Sequence, residues 1–313
     1  MIIINIILFF RYYGGYVFTK QIMMRRMLFS LIPVFFFASY LYGWRVAALA
    51  AVVFTSGILT EYFFEKRQNK KVSEAVLVTC ALYTLSLPPA VPFWIAAIGI
   101  IFAVFFAKEV YGGFGRNIFN PAIAGRLFIY ISFPSVMTGG WMVPGNFGTI
   151  DAVTSATPLE TLKAGGSLDL NNLITGIHPG SLGESAVILI LAAAVYLIAT
   201  KTANWKIMFS VLVSAAVTSA AIGFLDSSLN INVLQYMLSG SILFVAVFIA
   251  TDPVTAPKKP ASVWIYGMII GFTAIIVRTY SLFPEGTSFG ILLGNTFAPL
   301  IDKIFTKVKK AKA

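Results

Sequence analysis

Residues 151–160 read D-A-V-T-S-A-T-P-L-E, which places three hydroxyls, Thr154, Ser155 and Thr157, close to the carboxylate of Asp151. Hydroxyls so placed can act as nucleophiles, accept a covalent group or close a turn. Nucleophilic hydrolysis needs a base beside the hydroxyl. The one histidine of the chain, His178, lies 21 residues beyond Thr157, which makes that chemistry a poor fit. On residue chemistry by itself an Asx or ST turn is the default. Pro158 biases the backbone at Thr157 toward extended geometry, which predicts an exposed hydroxyl within reach of a modifying enzyme.

Other polar residues stand inside apolar surroundings. Glycines 112, 113 and 115 precede Arg116, Asn117 and Asn120. They permit close backbone approach and positive φ, yet no strand precedes them and no P-loop spacing is present, so a tight turn competes evenly with a ligand loop. Arg126 falls about one and a half to two turns into an apolar segment, where a guanidinium requires a cavity, a partner or an anionic group. Asn120 and Arg126 are therefore candidates for a functional or pairing role. Asp252, at the end of another apolar run, is a third, with capping of the adjacent turn as the alternative. Glu184 and His178 read as solvated loop or helix-end residues. Cys80 reads as a packed thiol, and a lone cysteine excludes an internal disulfide or a cysteine-based cluster.

Apolar segments must carry these groups. Of 313 residues, 58% are hydrophobic and 11% charged, against roughly 25% charged in soluble domains. The chain is therefore expected to be an all-α polytopic membrane protein in one domain, residues 1–313. Ten segments approach the roughly 20 residues a span needs: about 27–44, 46–64, 73–88, 91–109, 119–138, 183–200, 205–225, 237–251, 262–280 and 287–305. The third and eighth are short. The first ten residues are too short to span, and form an interfacial segment or precede a true start at Met23 or Met24.

The net charge of +11 comes without a basic face or a recognition motif, so nucleic acid is not an expected partner. Basic residues instead report topology. With a cytoplasmic N-terminus, nineteen of 23 Lys and Arg fall on the inner side; Arg45, Lys163 and Arg278 fall outside, and Arg126 within the fifth span. Both termini are thus expected in the cytoplasm, the chain in the inner (cytoplasmic) membrane with lipid around it, and the loop 139–182 outside.

Two motif pairs suggest a repeat. N-I-F-N-P at 117–121 matches N-T-F-A-P at 295–299, and S-L-P-P-A-V-P at 86–92 matches T-D-P-V-T-A-P at 251–257. Each pair stands at corresponding places in two five-span halves, about 20–140 and 183–305, with a basic tail at 306–313. Because five is odd, the halves point in opposite directions, an inverted repeat with broken helices and a central site.

The order "SLPP…PFW", "AKEVYGGFGRNIFNPAIAGR", "DAVTSATPL", "ATDPVTAP" and "GNTFAPLID" resembles the membrane proteins RnfD and NqrB from about residue 20 to the end. The former belongs to the Rnf ferredoxin:NAD oxidoreductase, the latter to the sodium-pumping NADH:quinone reductase. The family's acceptor motif is D-x-x-[ST]-G-A-T, whose last Thr carries FMN by a phosphoester. Asp151, Thr154, Ala156 and Thr157 match it, and Ser155 stands where glycine is usual. The resemblance implies covalent FMN on Thr157, installed by a flavin transferase outside the cytoplasm. It also implies a noncovalent riboflavin in the membrane part, with Asn120 and Arg126 as candidate cofactor contacts, and the other components of a multi-subunit redox complex as partners. It implies, too, coupling of electron flow to Na+ or H+ transport, with Asp252 and Arg126 as candidates for sensing the flavin's charge.

The short N-terminus and "SLPP" lean toward the Rnf complex, which is the favoured assignment; "GRNIFNPAIAGR" leans toward the NqrB component of the quinone reductase. The rival from another class is a transporter or channel without redox function, which would share the inverted repeat and broken spans.

Overall fold

The computed structural model describes residues 18–145, 156–163, 166, 168–226, 229, 231–281 and 286–311, with side chains through 306. Asp151, Thr154 and Ser155 lie outside the described residues, as do the first ten. The first half begins with α1 (Ile22–Tyr42) and α2 (Trp44–Arg67). A single residue, Gly43, separates them; its φ of 71° and its N–H bond to Ser39 O end α1 and start α2 at once. Then come α3 (Ala75–Ser86), α4 (Phe93–Ala107), α5 (Pro121–Ser132) and the short α6 (Pro134–Gly139).

The connecting segment holds two six-residue helices, α7 (Pro158–Lys163) and α8 (Leu170–Thr175). The second half contains α9 (Val187–Ala199), α10 (Trp205–Leu225), α11 (Val233–Leu238), α12 (Ile242–Phe244), α13 (Pro260–Tyr280) and α14 (Gly286–Ala311). A π-helical turn, Val245–Ile249, follows α12 directly. One departure from an all-helical chain is a pair of two-residue parallel strands, Phe18–Thr19 beside Val72–Ser73.

Every one of the ten expected segments contains helix, and the chain is a helical, polytopic membrane protein. Among the described residues five helical stretches are by themselves long and apolar enough to cross a membrane: α1, α2, Phe93–Tyr111, α10 and α13. The others are shorter or interrupted for identifiable reasons. All twelve residues of α3 are buried, so this helix is enclosed by protein. It stops where Leu87 turns extended before Pro88, because proline disfavours helical geometry in the residue before it.

The backbone freed there is satisfied within the protein, as it must be at membrane depth. Leu182 and Gly183 donate to the carbonyls of Leu87 (3.1 Å) and Leu85 (2.7 Å). Arg45 donates to those of Pro89, Ala90 and Val91 at 2.8–3.0 Å. In the second half the break falls across the π turn and Thr251–Pro257, where the carbonyl of Asp252 accepts from the Ala256 N–H.

Packing follows one scheme in each half: α4 lies between α2 and α5, and α13 lies between α10 and α14. Small residues allow both arrangements. A Cβ on Gly125 of α5 would stand 2.6 Å from the Gly99 carbonyl of α4, and one on Gly271 of α13 would stand 2.4 Å from the Val211 carbonyl of α10. The main apolar core runs through both halves, from Leu31 and Val53 to Tyr266 and Ile291.

Candidate functional site

Thr157 immediately precedes α7, and its surroundings are built by local sequence. The Thr157 N–H donates to Glu160 Oε2 at 2.8 Å, while Thr157 Oγ1 accepts the Glu160 N–H at 3.3 Å. This T-x-x-E pairing is a capping box, which satisfies two donors at a helix start reciprocally. Pro158 occupies the first helical position, where a missing N–H costs nothing. Leu159 and Leu162 then bury themselves against the bundle.

In consequence Thr157 is only 9% exposed, which corrects the expectation of an exposed hydroxyl; the extended backbone expected before Pro158 is what a helix-capping residue adopts in any case. The sequence signal for the cap, T-P-L-E, was present; the apolar docking of α7 was not visible from it. Ala156, beside it, is exposed.

Thr157 borders a cavity, outer on the expected topology, together with Arg126, His178, Glu184 and Arg278. Arg126 projects from the second turn of α5, with Nη1 3.7 Å from Glu184 Oε1 and Nη2 donating to Ser181 Oγ at 3.4 Å. His178 and Glu184 are 6% and 8% exposed, so the reading of both as solvated loop residues is wrong. The loop that carries them is drawn inward by the backbone bonds from Leu182 and Gly183 to the broken end of α3. His178 Nδ1 lies 3.1 Å from the Pro179 carbonyl, which places the ring proton there. Burial holds the imidazole below its ordinary pKa of 6.5.

Arg278 reaches the same cavity from α13, 1% exposed, with Nη1 donating to the carbonyls of Tyr236 (3.1 Å) and Ser239 (2.9 Å). Counting basic residues for topology gave Arg278 no site role. The available signal was an arginine inside an apolar helix, the same signal that singled out Arg126.

A second cavity, inner on the same expectation, is lined by Asn117, Asn120, Asp252 and Lys108, with Met23, Met24 and Met27 from α1. The glycine turn that leads to it has φ of 102°, 88° and 86° at Gly112, Gly113 and Gly115. Asn120 then caps α5, its Oδ1 accepting from Ala122 N at 3.1 Å, and its Nδ2 donates to Asp252 Oδ2 at 3.2 Å. Asp252 also takes the N–H of Val254 (3.0 Å) and the hydroxyl of Thr255 (3.2 Å). Asp252 thus closes the adjacent turn, as the capping alternative has it, and lines the cavity. Across the halves, Asn295 Oδ1 accepts the Asn120 N–H at 3.0 Å and Asn295 Nδ2 donates to the Tyr266 hydroxyl at 3.0 Å.

The structure therefore separates residues that the sequence grouped: Arg126 belongs with Thr157, and Asn120 with Asp252. Next to the inner cavity is a buried charge cluster. Lys108 pairs with Glu61, whose other oxygen accepts from the N–H and hydroxyl of Ser73. Glu65 and Glu109 stand beside it, and the three carboxylates bring oxygens within 4.8 Å of one another. Glutamates four apart inside the apolar α2 were the sequence signal, since ionisable residues at membrane depth are functional candidates by default.

The model of the NQR2, RnfD, RnfE family matches residues 17–310. The B subunit of the Na(+)-translocating NADH-quinone reductase of Azotobacter vinelandii is 34% identical over 264 residues, covering 80% of this chain and 64% of that protein. Its namesake from Yersinia pestis is 33% identical over 281 residues, 84% and 67% respectively. That from Chromohalobacter salexigens is 34% identical over 269 residues, 82% and 64%. The chain spans about two thirds of the length of the curated relatives it matches.

Proposed function

The chain belongs to the NQR2, RnfD, RnfE family, and from that membership we propose that it is an electron-transfer component of a membrane-bound, redox-driven ion-translocating oxidoreductase complex. It would carry FMN as a phosphoester on Thr157. The observation that carries this reading is Thr157 itself: the last residue of the acceptor motif borders a cavity with Arg126 and Arg278, donors suited to an anionic group. Bound flavin supplies one- and two-electron chemistry, which amino-acid side chains do not.

The protein's share is to tether the cofactor at Oγ1, hold its charged end with buried guanidiniums and keep water from the approach. A tether also keeps the flavin from being lost to the outside, and removes the translational cost of rebinding. We place a noncovalent flavin such as riboflavin at the inner cavity, whose volume of about 50 Å³ must widen to admit it. Asn117, Asn120 and Lys108 offer polar contacts, and the Met23, Met24 and Met27 side chains offer adaptable apolar surface. Asp252, bonded to Asn120 there, is the group we assign to sensing cofactor charge during Na+ or H+ transport.

We further propose two inverted five-helix halves, about 20–140 and 183–305, with both termini cytoplasmic and the segment 139–182 outside. The shared packing scheme, α2–α4–α5 and α10–α13–α14, supports that arrangement. So does the clustering of the outer cations: Lys163 donates to Ser281 O, three residues beyond Arg278. Partners would be a flavin transferase and the remaining components of the complex. The named relatives favour the quinone-reductase assembly over the Rnf assembly.

The test is co-expression with the transferase, denaturation and in-gel flavin fluorescence. Wild type should fluoresce and Thr157→Val should not, with equal membrane insertion. Fluorescence retained in Thr157→Val would move the acceptor elsewhere. Identifying the proteins that co-purify separates the two assemblies.

A further inference from the structure

We propose that Arg278 and Arg126, one from each half of the chain, form the seat of the phosphodiester on Thr157, with Lys163 as a third cation beyond the cavity wall; this rests on the reading of Thr157 as the flavin acceptor. Such a diester carries one negative charge beside Oγ1. The cavity that Thr157 borders is also bordered by both guanidiniums, 1% and 3% exposed for Arg278 and Arg126. Guanidinium groups bind phosphate oxygens through paired, directional N–H donors.

The Arg278 side chain is held in place for that task. Its Nη1 is anchored on two carbonyls, and Gly240 closes on its other end with φ of 68°. A Cβ there would stand 3.0 Å from Arg278 Nη2, so only glycine lets the backbone approach this closely without strain. Arg126 is set against Ser181 and Glu184, which fixes its orientation toward the same space.

Lys163 adds a third positive charge. It ends α7, the short helix that starts directly after the acceptor, and bonds to Ser281 O at 2.9 Å. The residue is exposed, and the partial desolvation of its ammonium, then the neighbouring Arg278, lower its pKa. Two cations crowded in this way are relieved by an anion placed between them and Thr157. The same anion stands close to the Glu160 carboxylate, which the capping box holds against the Thr157 N–H. Loading therefore pushes Glu160 away, and a phosphate oxygen takes over as acceptor.

The experiment uses the whole complex loaded by its transferase, with the Thr157→Val complex as the blank for any other flavin. Attachment is read by in-gel fluorescence after denaturation, and seating by acrylamide quenching of the native flavin fluorescence. Wild type should be attached and poorly quenched. Arg278→Gln should stay attached while its quenching constant rises severalfold, Lys163→Gln should rise less, and Arg278→Lys should recover part of the protection.

Attached flavin with wild-type quenching in both Arg278→Gln and Lys163→Gln would overturn the seat while leaving the acceptor reading intact. A wild-type chain without covalent flavin would overturn the acceptor reading and the seat with it. Should Arg278→Gln fail to accumulate, Lys163→Gln, at an exposed position, and Arg126→Lys decide the matter by the same two readouts.

Discussion

The side-chain oxygen of Asn295 accepts the backbone N–H of Asn120 at 3.0 Å, so the two N-x-F-x-P motifs are hydrogen-bonded to each other across the halves of the chain. Asn120 in turn caps α5 and holds Asp252. Replacing Asn295 by Leu leaves a buried N–H without its acceptor, which costs about 1–3 kcal/mol, and it loosens the wall of the inner cavity. Thermal unfolding in detergent should show the loss. If that cavity holds a noncovalent flavin, the amount released on denaturation should fall as well. Asn295→Asp keeps the acceptor oxygen and should lie between. Equal stability of Asn295→Leu and wild type would show that this bond does not join the halves.

The Lys108–Glu61 pair offers a second test, because both side chains are almost wholly buried, 2% and 0% exposed. Removing one partner of such a pair strands a charge and costs about 3–5 kcal/mol, whereas replacing both is nearly neutral. Glu61→Gln alone should therefore unfold at clearly lower temperature, and Glu61→Gln combined with Lys108→Met should recover most of the difference. A double variant no more stable than the single one would mean that Lys108 is satisfied by Ser73 and its other neighbours.

How much of this was legible in the sequence follows from the range of the interactions concerned. Helix in all ten segments was readable because apolar length is a local property, and so was the break before Pro88. Arg278 and Lys108 were readable as charges but not as site residues, since their partners Tyr236 and Glu61 lie 42 and 47 residues away. At Thr157 the local rules agree, since Pro158 argues for extended backbone and the capping residue of a T-x-x-E box is extended as well. What they could not show is its burial, which comes with the docking of Leu159 and Leu162. His178 and Glu184 were misread because the backbone bonds that bury them go to the carbonyls of Leu85 and Leu87, at the end of a helix in the other half of the chain.

A pH dependence follows from His178. Burial lowers its folded pKa below 6.5, the ordinary value that the unfolded chain keeps. As pH falls through 6.5 the unfolded chain takes up the proton first, so stability is complete above 6.5 and is lost as pH drops toward the folded value. One proton's difference is worth at most about 1.4 kcal/mol per pH unit. Thermal stability in detergent between about pH 7.5 and 5 should decline in wild type, and His178→Gln should flatten the part of that decline owed to this residue. Parallel profiles for the two proteins would place the acid sensitivity elsewhere.

On the proposed attachment of FMN at Thr157, Glu160 sets how often the hydroxyl can be reached. With Thr157 9% exposed and α7 docked on Leu159 and Leu162, a soluble transferase meets Oγ1 only when the helix lifts. Loss of one half of a capping box costs about 1 kcal/mol, which raises the open population roughly fivefold. Glu160→Ala should accordingly take up flavin faster, by up to that factor, in a time course with purified transferase followed by in-gel fluorescence. Glu160→Gln can still accept the Thr157 N–H and preserve the cap, so any gain it shows comes instead from removing the negative charge beside the incoming phosphate. Faster loading of Glu160→Ala than of Glu160→Gln makes opening of α7 the limiting event, and the reverse order makes charge repulsion limiting. Rates at or below wild type in both variants would mean that the transferase engages α7 in its docked form, recognising Glu160 where it stands.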